Sequence, residues 1–125
     1  MNIVDLSACE LSNAIHSHAV SCVEVMQAYL QRIHTVNPSY NAIVSLRPDE
    51  LLLQEAAAKD ALLSRGQSQG WMHGFPQAPK DLTATAGLTT TMGFRGMANH
   101  VPTHDSVVAA RMPPATPLFA GRPTR

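Results

Sequence analysis

Lys80-Asp81 ends a short apolar segment that begins at Phe75, and a run rich in Thr and Gly follows it to Gly93. A lysine placed just after a candidate buried strand, with turn-rich chain behind it, can sit at the floor of a pocket and act as a general base. That task needs the neutral amine. A free lysine titrates near ~10.4, so service near neutrality asks for a drop of about three units, roughly 4 kcal/mol. Burial and neighbouring cations supply such shifts, which requires a closed pocket around the nitrogen. On composition alone, a solvated lysine at a strand end is the plainer arrangement. Asp81 is not expected to oppose the base, because successive strand side chains point to opposite faces.

Other reactive side chains carry less. His16 and His18 lie two apart, hence on different helix faces, and with His34 they make no ligand set. His100 and His104 are separated by Pro102. No metal site is expected, and no organic cofactor. Cys9 and Cys22 follow no metal or redox spacing and read as ordinary buried thiols in helices. Trp71 reads as a packing anchor beside a loop.

The elements that must position Lys80 begin with helices. Ser7-x-x-Glu10 is a capping box opening a helix to about His18, and Ser21-x-x-Glu24 repeats the device. Val23, Met26, Leu30 and Ile33 then recur at helical spacing until Asn37-Pro38, where the second helix is expected to stop. Asn41 to Leu46 reads as a short strand. Arg47-Pro48-Asp49-Glu50 starts a third helix, with Pro48 expected in its first turn, that runs to about Arg65 and ends at Gly66, spanning about 27 Å at 1.5 Å per residue. Gly66 to Gly70 is a polar loop, and Phe75 to Lys80 reads as a strand compromised by its prolines. Asp105 or Thr103 is expected to cap a helix from Ser106 to Arg111. Pro113, Pro114, Pro117 and Pro123 then exclude a helix or a central strand. The expected division is residues 1–112 as one domain portion and 113–125 as a disordered, proline-rich tail.

Composition bounds the function. Apolar residues make up 45% of the 125, and charged residues only 14%, against roughly 25% in typical soluble domains. Acidic and basic residues balance at nine each, which favours neither nucleic acid nor an anionic membrane as partner. No run approaches the roughly 18 apolar residues of a membrane span, and no signal peptide is evident. A reducing cytoplasm is the expected location. Such a low charge leaves apolar faces to bury, so self-association through them is a candidate behaviour.

Several motifs, taken in order, resemble the N-terminal part of the amidase signature family. Leu6-Ser7, Glu10-Leu11 and Ala14-Ile15, then Val20-Ser21 and Val23-Glu24-Val25, resemble its first two helices. Asn37-Pro38 and Asn41-Ala42 resemble its helix-to-strand link. His73-Gly74-Phe75-Pro76 with Lys80-Asp81 resembles the segment that delivers the family lysine, and Asp105-Ser106-Val107-Val108 the helix that follows. The resemblance covers nearly the whole chain to Arg111. It implies an α/β fold, here the N-terminal helices and first strands of a mixed sheet covered by helices, in truncated form. It also implies carboxamide C–N hydrolysis without metal or cofactor. In that chemistry Lys80 deprotonates a serine held by a cis peptide, which relays the proton from a nucleophilic serine. An acyl-enzyme forms, ammonia or an amine leaves, and water releases the acid. Backbone N–H groups of a Gly/Ser-rich loop stabilise the oxyanion.

The chain departs from the family pattern in places. Pro79 stands where an aliphatic residue commonly precedes the lysine, and Phe94 follows Gly93 where serine is common. No Gly-Gly-Ser-Ser-Gly-like loop occurs, and the serines are scattered from Ser7 to Ser106. After Met112 only Leu118 to Arg122 faintly echoes the family. The expectation is an amide hydrolase portion that is inactive alone, acting on a small-molecule amide once complete. The alternatives are a non-catalytic interaction module and the amidase subunit of a tRNA-dependent amidotransferase. The strand in the segment from Phe75 to Thr91 is expected to need partners that largely lie outside these 125 residues to satisfy its backbone.

Overall fold

A computed structural model of the chain describes residues 2–43, 45–111 and, for the backbone alone, 116–117. Its order is a 3-10 turn at Ile3–Asp5, then α1 (Ala8–His16), α2 (Cys22–Tyr40) and α3 (Asp49–Ser64). The short β1 (Pro76–Gln77), a 3-10 turn at Arg95–Met97, α4 (Val107–Arg111) and β2 (Thr116–Pro117) follow.

Local chemistry starts α1 and α2. Both capping boxes form: Glu10 N–H donates to Ser7 Oγ at 3.3 Å while Ser7 N–H donates to Glu10 Oε2 at 2.8 Å. Ser21 and Glu24 repeat this at 3.1 and 2.8 Å. Helix α1 then buries Leu11 and Ile15, one turn apart on one face. Helix α2 buries Cys22, Val25, Met26 and Leu30, and α3 meets them with Leu52, Ala56 and Leu63. Val20 and Phe75 complete this core. At about 1.5–3 kcal/mol for each large buried side chain, it is the dominant attraction holding the three helices together.

Five expectations about elements are corrected. Helix α2 does not stop at Asn37-Pro38 but continues to Tyr40 and ends at Asn41, whose φ of 48° and ψ of 41° make a left-handed cap. Pro38 sits in the last turn, where the lost N–H costs one bond and little helix remains to kink. Asn37 then fastens the exit, accepting from Ile43 N–H at 2.8 Å and donating to the Ile43 carbonyl at 2.7 Å. That clasp turns the chain, so the strand expected from Asn41 to Leu46 is absent among the described residues (Val44 lies outside them).

Pro48 occupies the cap position of α3 rather than its first turn. The strand expected from Phe75 to Lys80 is reduced to Pro76–Gln77, paired in parallel with Thr116–Pro117. Pro79 has no N–H to offer a ladder, and the pairing ends two residues before it. The pair packs beside α2 and α3. The rest of the tail from 113 to 125 lies outside the described residues. Finally, α4 is capped by Ser106 and not by Thr103 or Asp105: Ser106 Oγ accepts from Ala109 N–H at 3.2 Å. Asp105 accepts from Ala86 N–H at 2.7 Å instead. Among the described residues no helix is long and apolar enough to cross a membrane.

Candidate active-site lysine and its support

Lys80 lies outside any strand and is exposed. Its carbonyl accepts from Thr83 N–H at 2.8 Å, so it opens a tight turn of four residues. Among the described residues its ammonium has no hydrogen-bond or ion-pair partner. Asp81, the next residue, points the other way and is only 7% exposed. Its Oδ1 accepts from Thr91 N–H at 2.6 Å, its Oδ2 accepts from the Thr91 hydroxyl, and its carbonyl accepts from Met92 N–H at 3.1 Å. Gly93 N–H donates to Thr91 Oγ1 at 3.2 Å.

Chain beyond this clasp is also satisfied locally. Phe94 N–H bonds back to the Thr91 carbonyl at 2.9 Å, across Met92 and Gly93, whose φ values are 51° and 74°. Ser106, Gly87 and Thr90 N–H groups donate to the carbonyls of Ala84, Pro102 and His100 at 2.8, 3.1 and 2.9 Å. Residues 84–90 and 100–106 therefore lie side by side. Part of the segment up to Thr91, expected to rely largely on partners outside these 125 residues, thus finds backbone partners within them. Thr90 and Thr91 are both 2% exposed. Phe94, in contrast, is 64% exposed, and its ring covers Gly96, where a Cβ would lie 2.4 Å from Cε1.

Upstream, His73 ties the approach to Lys80 onto the helices. It is fully buried, with Nε2 2.9 Å from the Lys59 carbonyl and Nδ1 accepting from Gln69 N–H at 3.1 Å. A ring nitrogen that accepts from an amide carries no proton, so the proton sits on Nε2 and is donated to α3. His16 meets the same loop: its Nε2 is 2.9 Å from Ser68 Oγ, and the two imidazoles lie edge to face at 6.3 Å. Trp71 stacks edge-on with Phe75 at 5.7 Å, and its carbonyl accepts from Ser12 Oγ at 2.5 Å. Burial pushes the Lys59 ammonium below the usual lysine range, and it donates to Gln69 Oε1 at 2.5 Å.

Gly74 must be glycine. Its φ is +75°, and a Cβ there would sit 2.3 Å from Cys22 Sγ. Cys22 is fully buried. Burial, then the hydrogen bond and charge of Asp60, push its thiol up to about 12. Sequence reasoning singles out Lys80 and reaches His73 and Gly74 only through resemblance. It misses Asp81, Thr91 and Asp60 because their partners lie 10 to 38 residues away in the chain. A separate hollow of about 300 Å³, lined by Ile33, Val36, Tyr40 and Ile43 among others, contains no residue of the Lys80 segment.

The Amidase family model matches residues 24–123, four-fifths of the chain and all of the segment around Lys80. The chain belongs to the Amidase family. A glutamyl-tRNA(Gln) amidotransferase subunit of Bdellovibrio bacteriovorus is 38% identical to this amidase-family chain over 112 residues, 90% of it and 22% of that protein. An acylamidase of Rhodococcus erythropolis is 38% identical over 121 residues, 97% of this chain and 25% of that one. Among solved structures, the peptide amidase of Stenotrophomonas maltophilia superposes with a TM-score of 0.82 at 27% identity, over 93% of this chain and 24% of its own. The α/β fold expected from the resemblance is therefore the fold found, as the N-terminal quarter of the relatives it matches. The match runs past Arg111, further than the resemblance read from motifs.

Proposed function

We infer that these residues form the lysine-bearing part of a domain that hydrolyses carboxamide C–N bonds, with Lys80 as its general base. The observation that carries this reading is the placement of Lys80. It is an exposed amine on a turn locked by Asp81, inside the stretch the family model matches. Its nitrogen is free to meet groups brought by residues outside these 125. In the proposed cycle Lys80 takes a proton from a relay serine, which takes one from the nucleophilic serine. That serine attacks the amide carbonyl, the proton returns to the leaving nitrogen, and water then cleaves the acyl ester. Both serines and the oxyanion donors come from outside these residues, so the 125-residue chain alone releases no ammonia.

The test is complementation. The Rhodococcus acylamidase, cut so that it lacks the stretch these residues match, is mixed with the 125-residue chain and assayed on simple amides. Activity is expected with the chain as it stands and not with Lys80→Ala. Equal rates with Lys80→Ala, or ammonia release by the chain alone, would overturn the assignment.

A second reading, part of an amidotransferase, is supported by the equal 38% identity to the Bdellovibrio protein. The same experiment with the remainder of that protein separates the two. A portion selective for one remainder over the other by tenfold or more in rate belongs with it. Self-association is the remaining partner proposal, supported by the exposure of Leu82, Phe94, Val107 and Val108. Light scattering showing a monomer across a hundredfold concentration range would remove it.

A further inference from the structure

Asp81 is a buried carboxylate with no cation beside it among the described residues. Burying a charge is costly unless donors satisfy it. Here both donors to the carboxylate come from Thr91, and the next two residues close in behind it. Thr91 gives its N–H and hydroxyl to the carboxylate, Met92 gives its N–H to the Asp81 carbonyl, and Gly93 gives its N–H to the Thr91 hydroxyl oxygen. For all three to converge, Met92 and Gly93 adopt left-handed backbone, which is unfavourable for a methionine. None of the buried core residues comes from this segment, whose nearest member is Phe75. The clasp therefore holds something other than the core.

What it holds is the turn that opens at Lys80. The geometry points to Asp81 as a positioning residue for Lys80, acting through Thr91. With the strand cut short at Gln77, no ladder fixes residue 80. The peptide joining Lys80 to Asp81 is instead pinned from one side by the Thr83 bond and from the other by the bonds of Asp81 to Thr91 and Met92. The arrangement also directs the carboxylate at backbone and hydroxyl donors, away from the lysine one residue before it. A carboxylate free to reach the ammonium would favour its charged form and oppose its use as a base. This inference rests on the reading of Lys80 as the base, and it assigns the neighbouring acid a separate task.

The experiment has two arms and uses Asp81→Ala, Thr91→Val and Thr91→Ser. In the 125-residue chain, backbone relaxation and amide exchange are measured at residue 80 and at residues 91–93. Order at Lys80 and protection at Thr91, Met92 and Gly93 are expected in the unaltered chain and in Thr91→Ser. Both are lost in Asp81→Ala and Thr91→Val, while amides at Ile15 and Met26 stay protected and show that the helices remain folded. In the complementation assay, Thr91→Val is expected to lower kcat on the order of 100-fold, the scale of a misplaced reacting group, with KM within about twofold. Thr91→Ser keeps kcat. Lys80 as ordered in Asp81→Ala and Thr91→Val as in the unaltered chain overturns the proposal, as does an unchanged kcat in Thr91→Val. Full activity of Lys80→Ala would sink the base assignment instead, and the relaxation data would still decide whether Asp81 holds residue 80.

Discussion

Asp60, in the last turns of α3, closes the first turn of α2: its Oδ1 accepts from Cys22 N–H at 2.7 Å and its Oδ2 from Val23 N–H at 3.1 Å. Glu24 N–H goes to Ser21 Oγ and Val25 N–H to the Ser21 carbonyl at 3.0 Å, so every donor of that helix start is used. The negative carboxylate also faces the positive end of the helix dipole. Removing it strands two N–H groups in a half-buried site. Asp60→Ala is expected to lower unfolding free energy by about 2–4 kcal/mol, from two charge-assisted bonds. Urea denaturation followed by circular dichroism measures it, and a loss below about half a kcal/mol would mean that water replaces the carboxylate.

Gly74 and Cys22 give a second stability prediction. Alanine at 74 meets Cys22 Sγ at 2.3 Å and must hold φ near +75°. The backbone alone costs about 1–2 kcal/mol for a non-glycine residue, and the collision adds to it. Cys22→Ala removes the sulfur but leaves the backbone strain. The double variant is therefore expected to be more stable than the sum of the two single losses, a coupling of at least about 0.5 kcal/mol. Additive losses would place the two residues out of contact.

The thiols should behave differently. Cys9, expected to be buried, is exposed at the start of α1, while Cys22 is buried and its thiol is pushed up to about 12, first by burial and then by Asp60. At pH 8 a disulfide reagent such as dithiodipyridine is expected to titrate one thiol in the native chain and both in guanidinium. Because the folded value lies above the ordinary 9.0, the neutral thiol's contribution to stability is complete below about pH 9 and is lost as pH rises toward 12. Cys22→Ala should remove that alkaline component. Two fast native thiols at pH 8 would contradict the packing of Cys22.

How far the sequence was legible follows the range of the interactions. Ser7 with Glu10 and Ser21 with Glu24 act across three residues, so both helix starts were readable. The end of α3 was readable too, because Gly66 at φ +72° is a local necessity. Pro38 misled because its penalty depends on how much helix follows, which local pattern does not state. Asn41 to Leu46 misled because β-branched residues fit an extended clasp as well as a strand. The site was half legible. Lys80 stood out by type and context, whereas Asp81 looked like its idle neighbour. The Asp81–Thr91 and His73–Lys59 contacts depend on how turns and helices are brought together, and no spacing rule announces them.

Acid should loosen α1 and α2 together. Hydrogen bonds from the Ser7 hydroxyl and backbone hold Glu10 below its ordinary value of 4.5, and bonds from the Ser21 backbone and hydroxyl do the same for Glu24. Both folded values are depressed, so each carboxylate's contribution is fully present above about pH 4.5. It is lost as pH falls through the lower folded value, because the protonated acid no longer attracts those donors as strongly. Helical circular dichroism of the 125-residue chain is expected to hold from pH 7 to 5 and then weaken. Glu10→Gln with Glu24→Gln keeps an acceptor for the cap N–H groups but removes the titrating charge. That double variant should start from lower stability at pH 7 and show a flatter decline below pH 4.5. A decline as steep as in the unaltered chain would assign the acid sensitivity to other carboxylates and leave the capping boxes without a share in it.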